Sequence, residues 1–96
     1  MLSNDNKKKL RTMAQSMNAN VQLGKGGLDD NLFMTLRNEL EAHELVKVSI
    51  LKTCDLPVRE AAIECASMTQ SEIVQIIGRT FVLYRKSKKN KLGLNA

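Results

Sequence analysis

The chain has 96 residues, two cysteines, one histidine and a net charge of +5, with 43% apolar and 26% charged residues. That length supports one hydrophobic core and leaves no room for a second domain, and the composition is that of a globular protein, neither disordered nor membranous. No apolar run approaches the roughly 18–20 residues that cross a bilayer, and the lysines near the N-terminus have no apolar stretch or cleavage site behind them, which excludes a secretory signal. Cys54 and Cys65, with only His43 to join them, are too few for a structural zinc site or a disulfide framework. They read as free thiols, at least one of them buried, in a reducing cytoplasm, and neither a metal nor a cofactor is expected.

In chain order, Leu10, Met13, Ala14 and Met17 recur at helical spacing, which predicts a helix over 5–17 capped by Asn4 or Asp5. Val21 to Leu23 is a short strand running into Gly24-Lys25-Gly26-Gly27. A second helix follows over 29–43, with Asp29 and Asp30 in its first turn and Leu32, Phe33, Leu36 and Leu40 facing the core. Leu45 to Leu51 is a strand with Val46, Val48 and Ile50 on one face and Lys47 and Ser49 on the other. Asp55 and Pro57 open a third helix over 56–68, carrying Val58, Ala61, Ala62 and Cys65 on one stripe. Glu72 to Ile77 and Phe81 to Arg85 are strands joined at Gly78-Arg79 in a hairpin. The order α-β-α-β-α-β-β predicts an α/β fold, a two-layer sandwich with a mixed four-stranded sheet. Residues 1–86 form its single domain, and 87–96 read as a loose basic tail.

Charge is segregated along this order. Residues 1–72 hold nine Lys/Arg against ten Asp/Glu, whereas 73–96 hold Arg79, Arg85, Lys86, Lys88, Lys89 and Lys91 with no acid. Lys7, Lys8, Lys9 and Arg11 form a second cluster flanked only by Asp5. Patches of this kind attract polyanions. A membrane surface fits less well, because the basic helix carries no Trp or Phe to insert.

The GKGG segment adds local chemistry. Three glycines between a strand and a helix leave backbone N–H groups unshielded, and Lys25 and the helix N-terminus add positive charge, which makes a phosphate-binding corner. A loop that needs glycine only to turn is the plainer reading; Lys25 and the following helix favour the anion. Neither GxxxxGK[ST] nor GxGxxG is present, so no nucleotide-binding loop is implied.

Catalytic groupings are not expected. His43 falls at a helix end, where imidazole commonly bonds the last carbonyls. Cys65 lies on a core stripe, Glu60 and Glu64 form an i, i+4 pair of the solvated kind, and Met13, Met17, Met34 and Met68 read as core fillers. Phe81 and Tyr84 sit at odd separation in one strand, so at least one of them is expected at the surface. Three aromatic residues do not make a base-stacking sheet, so contacts to phosphates and to shape should dominate.

VQLGKGGL, LVKVSILKT and EIVQIIGRTFVLYRKS together resemble the CRM domain (chloroplast RNA splicing and ribosome maturation), in its bacterial stand-alone form, over residues 3–86. The resemblance implies a sandwich similar to the C-terminal domain of translation initiation factor three and a GxxG loop similar to that of KH domains, formed here by Gly24, Lys25, Gly26 and Gly27. It further implies binding of structured RNA, with large-subunit rRNA or its precursor particle as the partner and Lys7, Lys8, Lys9, Arg11, Arg79, Arg85 and Lys86 around the loop. An RNA-binding monomer without catalytic activity, assisting large ribosomal subunit assembly, is the main expectation. The alternative is a protein-interaction module that docks to a ribosomal protein through its sheet face, using the exposed members of Leu51, Phe81 and Tyr84.

Overall fold

The computed structural model describes residues 3–88. The elements are α1 (Asn4–Gln15), β1 (Val21–Leu23), α2 (Asp30–His43), β2 (Leu45–Ile50), α3 (Val58–Thr69), β3 (Glu72–Ile77) and β4 (Thr80–Tyr84). The sheet order is β1-β2-β4-β3. β1 runs parallel to β2, while β4 is antiparallel to both β2 and β3, so the sheet is mixed, as the alternation of strands and helices predicts.

The helices start where short polar side chains can take orphan amides. Ser3, not Asn4 or Asp5, caps α1: its hydroxyl accepts from the Asn6 N–H at 3.1 Å. Asp29 caps α2 by accepting from the Leu32 N–H at 2.8 Å. Pro57 precedes α3 with no side-chain cap. At the other end of α1 no basic residue lies in the last turn. Lys47 of β2 supplies the charge instead, its Nζ donating to the Ala14 and Met17 carbonyls at 3.1 Å each.

Both faces of the sheet are covered. Phe33, Leu36 and Leu40 of α2 and Ala61, Ala62 and Cys65 of α3 pack on Val46, Val48, Ile50, Phe81 and Leu83. These helices and the mixed sheet are the expected α/β packing, and α1 adds a third layer by laying Leu10 and Ala14 over Leu45, Val74, Val82 and Tyr84 on the opposite face. Phe81 and Tyr84 do point to opposite faces, yet they are 0% and 2% exposed, so neither reaches the surface. The helix that buries Tyr84 overturns that expectation and removes both aromatics from any docking surface on the sheet. Only Leu51 of the three proposed there is exposed.

Three of the methionines assigned to the core are at the surface: Met13, Met34 and Met68 are 41%, 59% and 39% exposed, and only Met17 packs against a cluster. A bulge between Ile73 and Gln75 places Val74 and Gln75 consecutively on the α1 side. The alternation is thereby reset, so that Ile76 returns to the α3 side. Ser87, at the expected start of the loose tail, is buried, its N–H donating to the Glu44 carboxylate at 2.7 Å, so the packed body extends through it. The remainder of that tail, 89–96, lies outside the described residues.

Candidate nucleic-acid interface

Register decides which loops meet. Leu23 lies beside Ile50, and Thr80 lies beside both Ser49 and Ile77. The GKGG loop after β1, the 51–57 loop after β2 and the Gly78-Arg79 turn therefore share one end of the sheet. Ends of parallel strands that lead into helices are a common place for ligands in α/β folds.

The loop is a tight turn. Gly27 donates to the Gly24 carbonyl at 3.0 Å and has φ 63°, a conformation that favours glycine. At Gly26 a Cβ would meet nothing within 4 Å, so neither backbone angle nor packing requires glycine there. Lys25 and Gly26 are exposed, and their N–H groups make no hydrogen bond among the described residues. The start of α2 is different. Its N-terminus is occupied by the Asp29 side chain, and Asp30 follows in the first turn. The anion-attracting part of this corner is thus the turn and Lys25, and the helix end contributes negative charge.

Arg79 stands across from the loop and holds the neighbouring segment in place. Its Nε donates to the Ile50 carbonyl at 3.0 Å and its Nη2 to the Leu51 carbonyl at 2.7 Å, while its own carbonyl accepts from the Ile50 N–H at 2.7 Å. Neutral carbonyls leave the guanidinium charge in place. Lys52 and Arg79 line one hollow of about 390 Å³, and Asp55 lines it with them. Lys52 was not among the residues expected from the sequence. The signal was available, because two strands that each feed a helix run parallel and so deliver their following loops to the same end.

Arg85 and Lys86 follow β4 at the opposite end of the sheet, past Tyr84, which pairs with Leu45 and Glu72. Thr80 and Tyr84 are separated by about 13 Å of strand. Arg85 bridges two helix ends, its Nη1 donating to the Thr69 carbonyl at 3.1 Å and its Nη2 lying 3.3 Å from Glu41 Oε2. Lys86 is exposed. On α1, Lys8, Lys9 and Arg11 are exposed and Lys7 is half-buried, and Lys8 and Lys9 share the outer surface with Thr12 and Met13. The expected basic residues thus occupy three places: the loop end, the outer side of α1, and the far end of β4.

The groups weighed for chemistry are placed as follows. Burial, and then the charge of Glu64, push the Cys65 thiol up to about 12, which keeps it protonated. Cys54 and Cys65 are both free and buried. His43 meets Glu39 at 3.3 Å and not the helix-end carbonyls. Among the described residues no three of His, Cys, Asp and Glu gather as metal ligands, and no helix is long and apolar enough to cross a membrane.

Residues 2–85 match the family model of the CRS1 / YhbY (CRM) domain. The chain belongs to this family. Among CRM relatives, the Bacillus subtilis (strain 168) protein named "Probable RNA-binding protein YqeI" is 41% identical over 91 residues, spanning 95% of each chain. A Haemophilus influenzae protein named "RNA-binding protein" is 34% identical over 94 residues, spanning 97% of this chain and 94% of its own. The solution structure of the Staphylococcus aureus protein SAV1595 superposes with a TM-score of 0.80 at 38% identity, covering 96% of both chains. The CRM match takes in the GKGG loop, both loops beside it and the whole sheet.

Proposed function

We propose that this CRM chain binds structured RNA, and that its partner is large-subunit rRNA in a precursor of the large ribosomal subunit. It acts in the cytoplasm as a monomer, by binding and not by catalysis. The observation that carries the reading is the loop end of the sheet, where two unbonded, exposed amides at Lys25 and Gly26 share one end with three cationic side chains, Lys25, Lys52 and Arg79, and with the carboxylates of Asp29, Asp30 and Asp55. The names of the CRM relatives, which describe them as RNA-binding, support the same reading. The open space over Gly26 lets a sugar-phosphate backbone approach the turn, and Lys8, Lys9 and Arg11 on α1 and Lys86 at the far end of β4 add separate basic patches. Arg85 contributes less to this surface, since its charge is already opposed by Glu41.

The test is a salt titration of binding to purified large-subunit rRNA against duplex DNA as competitor. Three cations at phosphates at the loop end alone give a log–log slope of about −2 to −3. The double variant Lys25→Glu/Gly26→Asp should stay folded, since both positions are exposed, and should lose rRNA affinity. Unchanged affinity in the folded variant would remove the loop from the site, and equal binding to DNA would reduce the reading to general cationic adhesion.

A further inference from the structure

On the side of the sheet away from α1, the first turns of α2 and α3 leave an open groove. Leu28, Phe33, Leu56 and Ile63 form its apolar lining, and Glu60 and Glu64 stand on its rim. Ile63 is 54% exposed, among the most exposed large apolar side chains described. Its neighbours explain why the groove is not closed: Leu28 and Leu56 come from the two loops that enter these helices and are only half-buried. The groove starts one residue after the GKGG turn, yet its electrostatics are reversed. In a chain of net charge +5, neither rim carboxylate has an ion-pair partner among the described residues. Two like charges at i, i+4 also repel each other along α3.

An apolar floor beneath two carboxylates that repel each other and have no partner among the described residues fits one chemistry. We propose that this groove docks a basic, amphipathic segment of a protein partner, in which a large apolar side chain enters beside Ile63 and Phe33 while flanking lysines or arginines meet Glu60 and Glu64. The same carboxylates disfavour a phosphate backbone in the groove. The arrangement gives the chain surfaces of opposite character, cationic patches at the loop end and on α1 and an acidic-apolar groove on the α2–α3 side of the sheet. The docking site stands whether or not the RNA reading holds, because Phe33, Glu60, Ile63 and Glu64 take no part in the cationic loop end, and only Leu56 also lines the Lys52–Arg79 hollow.

The test uses the full chain and a synthetic helical peptide of about 14 residues with leucines on one face and lysines beside them. Fluorescence anisotropy should show binding that weakens about tenfold or more in Glu60→Gln/Glu64→Gln and by a comparable factor in Ile63→Ser. All three side chains are exposed, so these variants keep their fold, checked by urea unfolding. A control peptide with serine for leucine should not bind. Equal binding by wild type and either variant overturns the proposal, and so does equal binding of the serine peptide, which would mean ionic adhesion alone. Light scattering of the free protein adds one more arm: a dimer dispersed by the glutamine variant would make a second copy the occupant and overturn the partner named here.

Discussion

The carboxylate of Glu44 accepts both the N–H of Ser87, at 2.7 Å, and the Ser87 hydroxyl, while Glu44 itself is fully buried at φ 66°. A buried acid in a conformation that favours glycine is costly, and what it secures is the chain leaving β4. The Glu44 carbonyl also accepts from Arg85 N–H at 3.0 Å, so the α2–β2 junction holds the segment after β4 at two points. Glu44→Ala removes the side-chain acceptor and leaves the Ser87 donors unsatisfied, a loss of about 2–4 kcal/mol. Glu44→Gly should lose about 1 kcal/mol less, because glycine relieves the positive φ. Urea unfolding of the two variants checks this; equal losses would show that the backbone angle carries no strain.

The turn offers a second comparison, between neighbouring glycines. Gly27→Ala places a Cβ at φ 63° and should cost about 1–2 kcal/mol of stability. Gly26→Ala meets nothing within 4 Å and should be neutral to within a few tenths of a kcal/mol. If an RNA backbone approaches over Gly26, the same alanine should still weaken rRNA binding. Paired unfolding and binding measurements separate the two effects, and a Gly26→Ala chain that binds as wild type would show that the backbone does not pass there.

Much of this fold was legible because each element repeats a period. Val46, Val48 and Ile50 alternate, Leu36 and Leu40 recur on a helix, and Gly78 marks the turn between two β-rich runs. What periodicity cannot carry is how the faces are used. The spacing of Phe81 and Tyr84 separated their faces correctly, but only α1 crossing the sheet decides that both are buried. The expected basic residues were likewise named from charge in the sequence, while their distribution depends on register. Arg79 and Arg85 are six positions apart and stand at opposite ends of one strand. Nothing local distinguishes Lys52 from a solvated lysine; the parallel pairing of β1 and β2 is what brings it to the loop end.

Arg79 combines charge with support, and the two can be separated. Arg79→Lys keeps the charge but not the fork that reaches both the Ile50 and Leu51 carbonyls. It should lower stability by about 1–2 kcal/mol and leave the salt slope of rRNA binding unchanged. Arg79→Met should lower stability by a similar amount and also reduce that slope by about one unit. Identical slopes in the two variants would mean that Arg79 supports the 51–54 segment without meeting a phosphate.

Alkaline pH should unfold the protein in a way that traces to two buried groups. Burial first, and Glu64 second, raise the Cys65 thiol from 9.0 to about 12. Burial first, and Glu44 second, raise the Tyr84 phenol above 10.0. In both cases the folded chain holds its proton to higher pH than the unfolded chain does. The unfolded state therefore binds fewer protons above the lower value, and stability falls as pH rises. For Cys65 the stabilisation is complete below pH 9.0 and is lost between there and about 12. Cys65→Ala should flatten this decline, at the cost of a small cavity at neutral pH. Tyr84→Phe should flatten the part at higher pH, and at neutral pH it should cost little, since the buried Tyr84 hydroxyl has no hydrogen-bond partner among the described residues. Urea midpoints followed from neutral to strongly alkaline pH in wild type and both variants measure the effect. An alkaline loss that is unchanged in both would place its origin in groups other than these two.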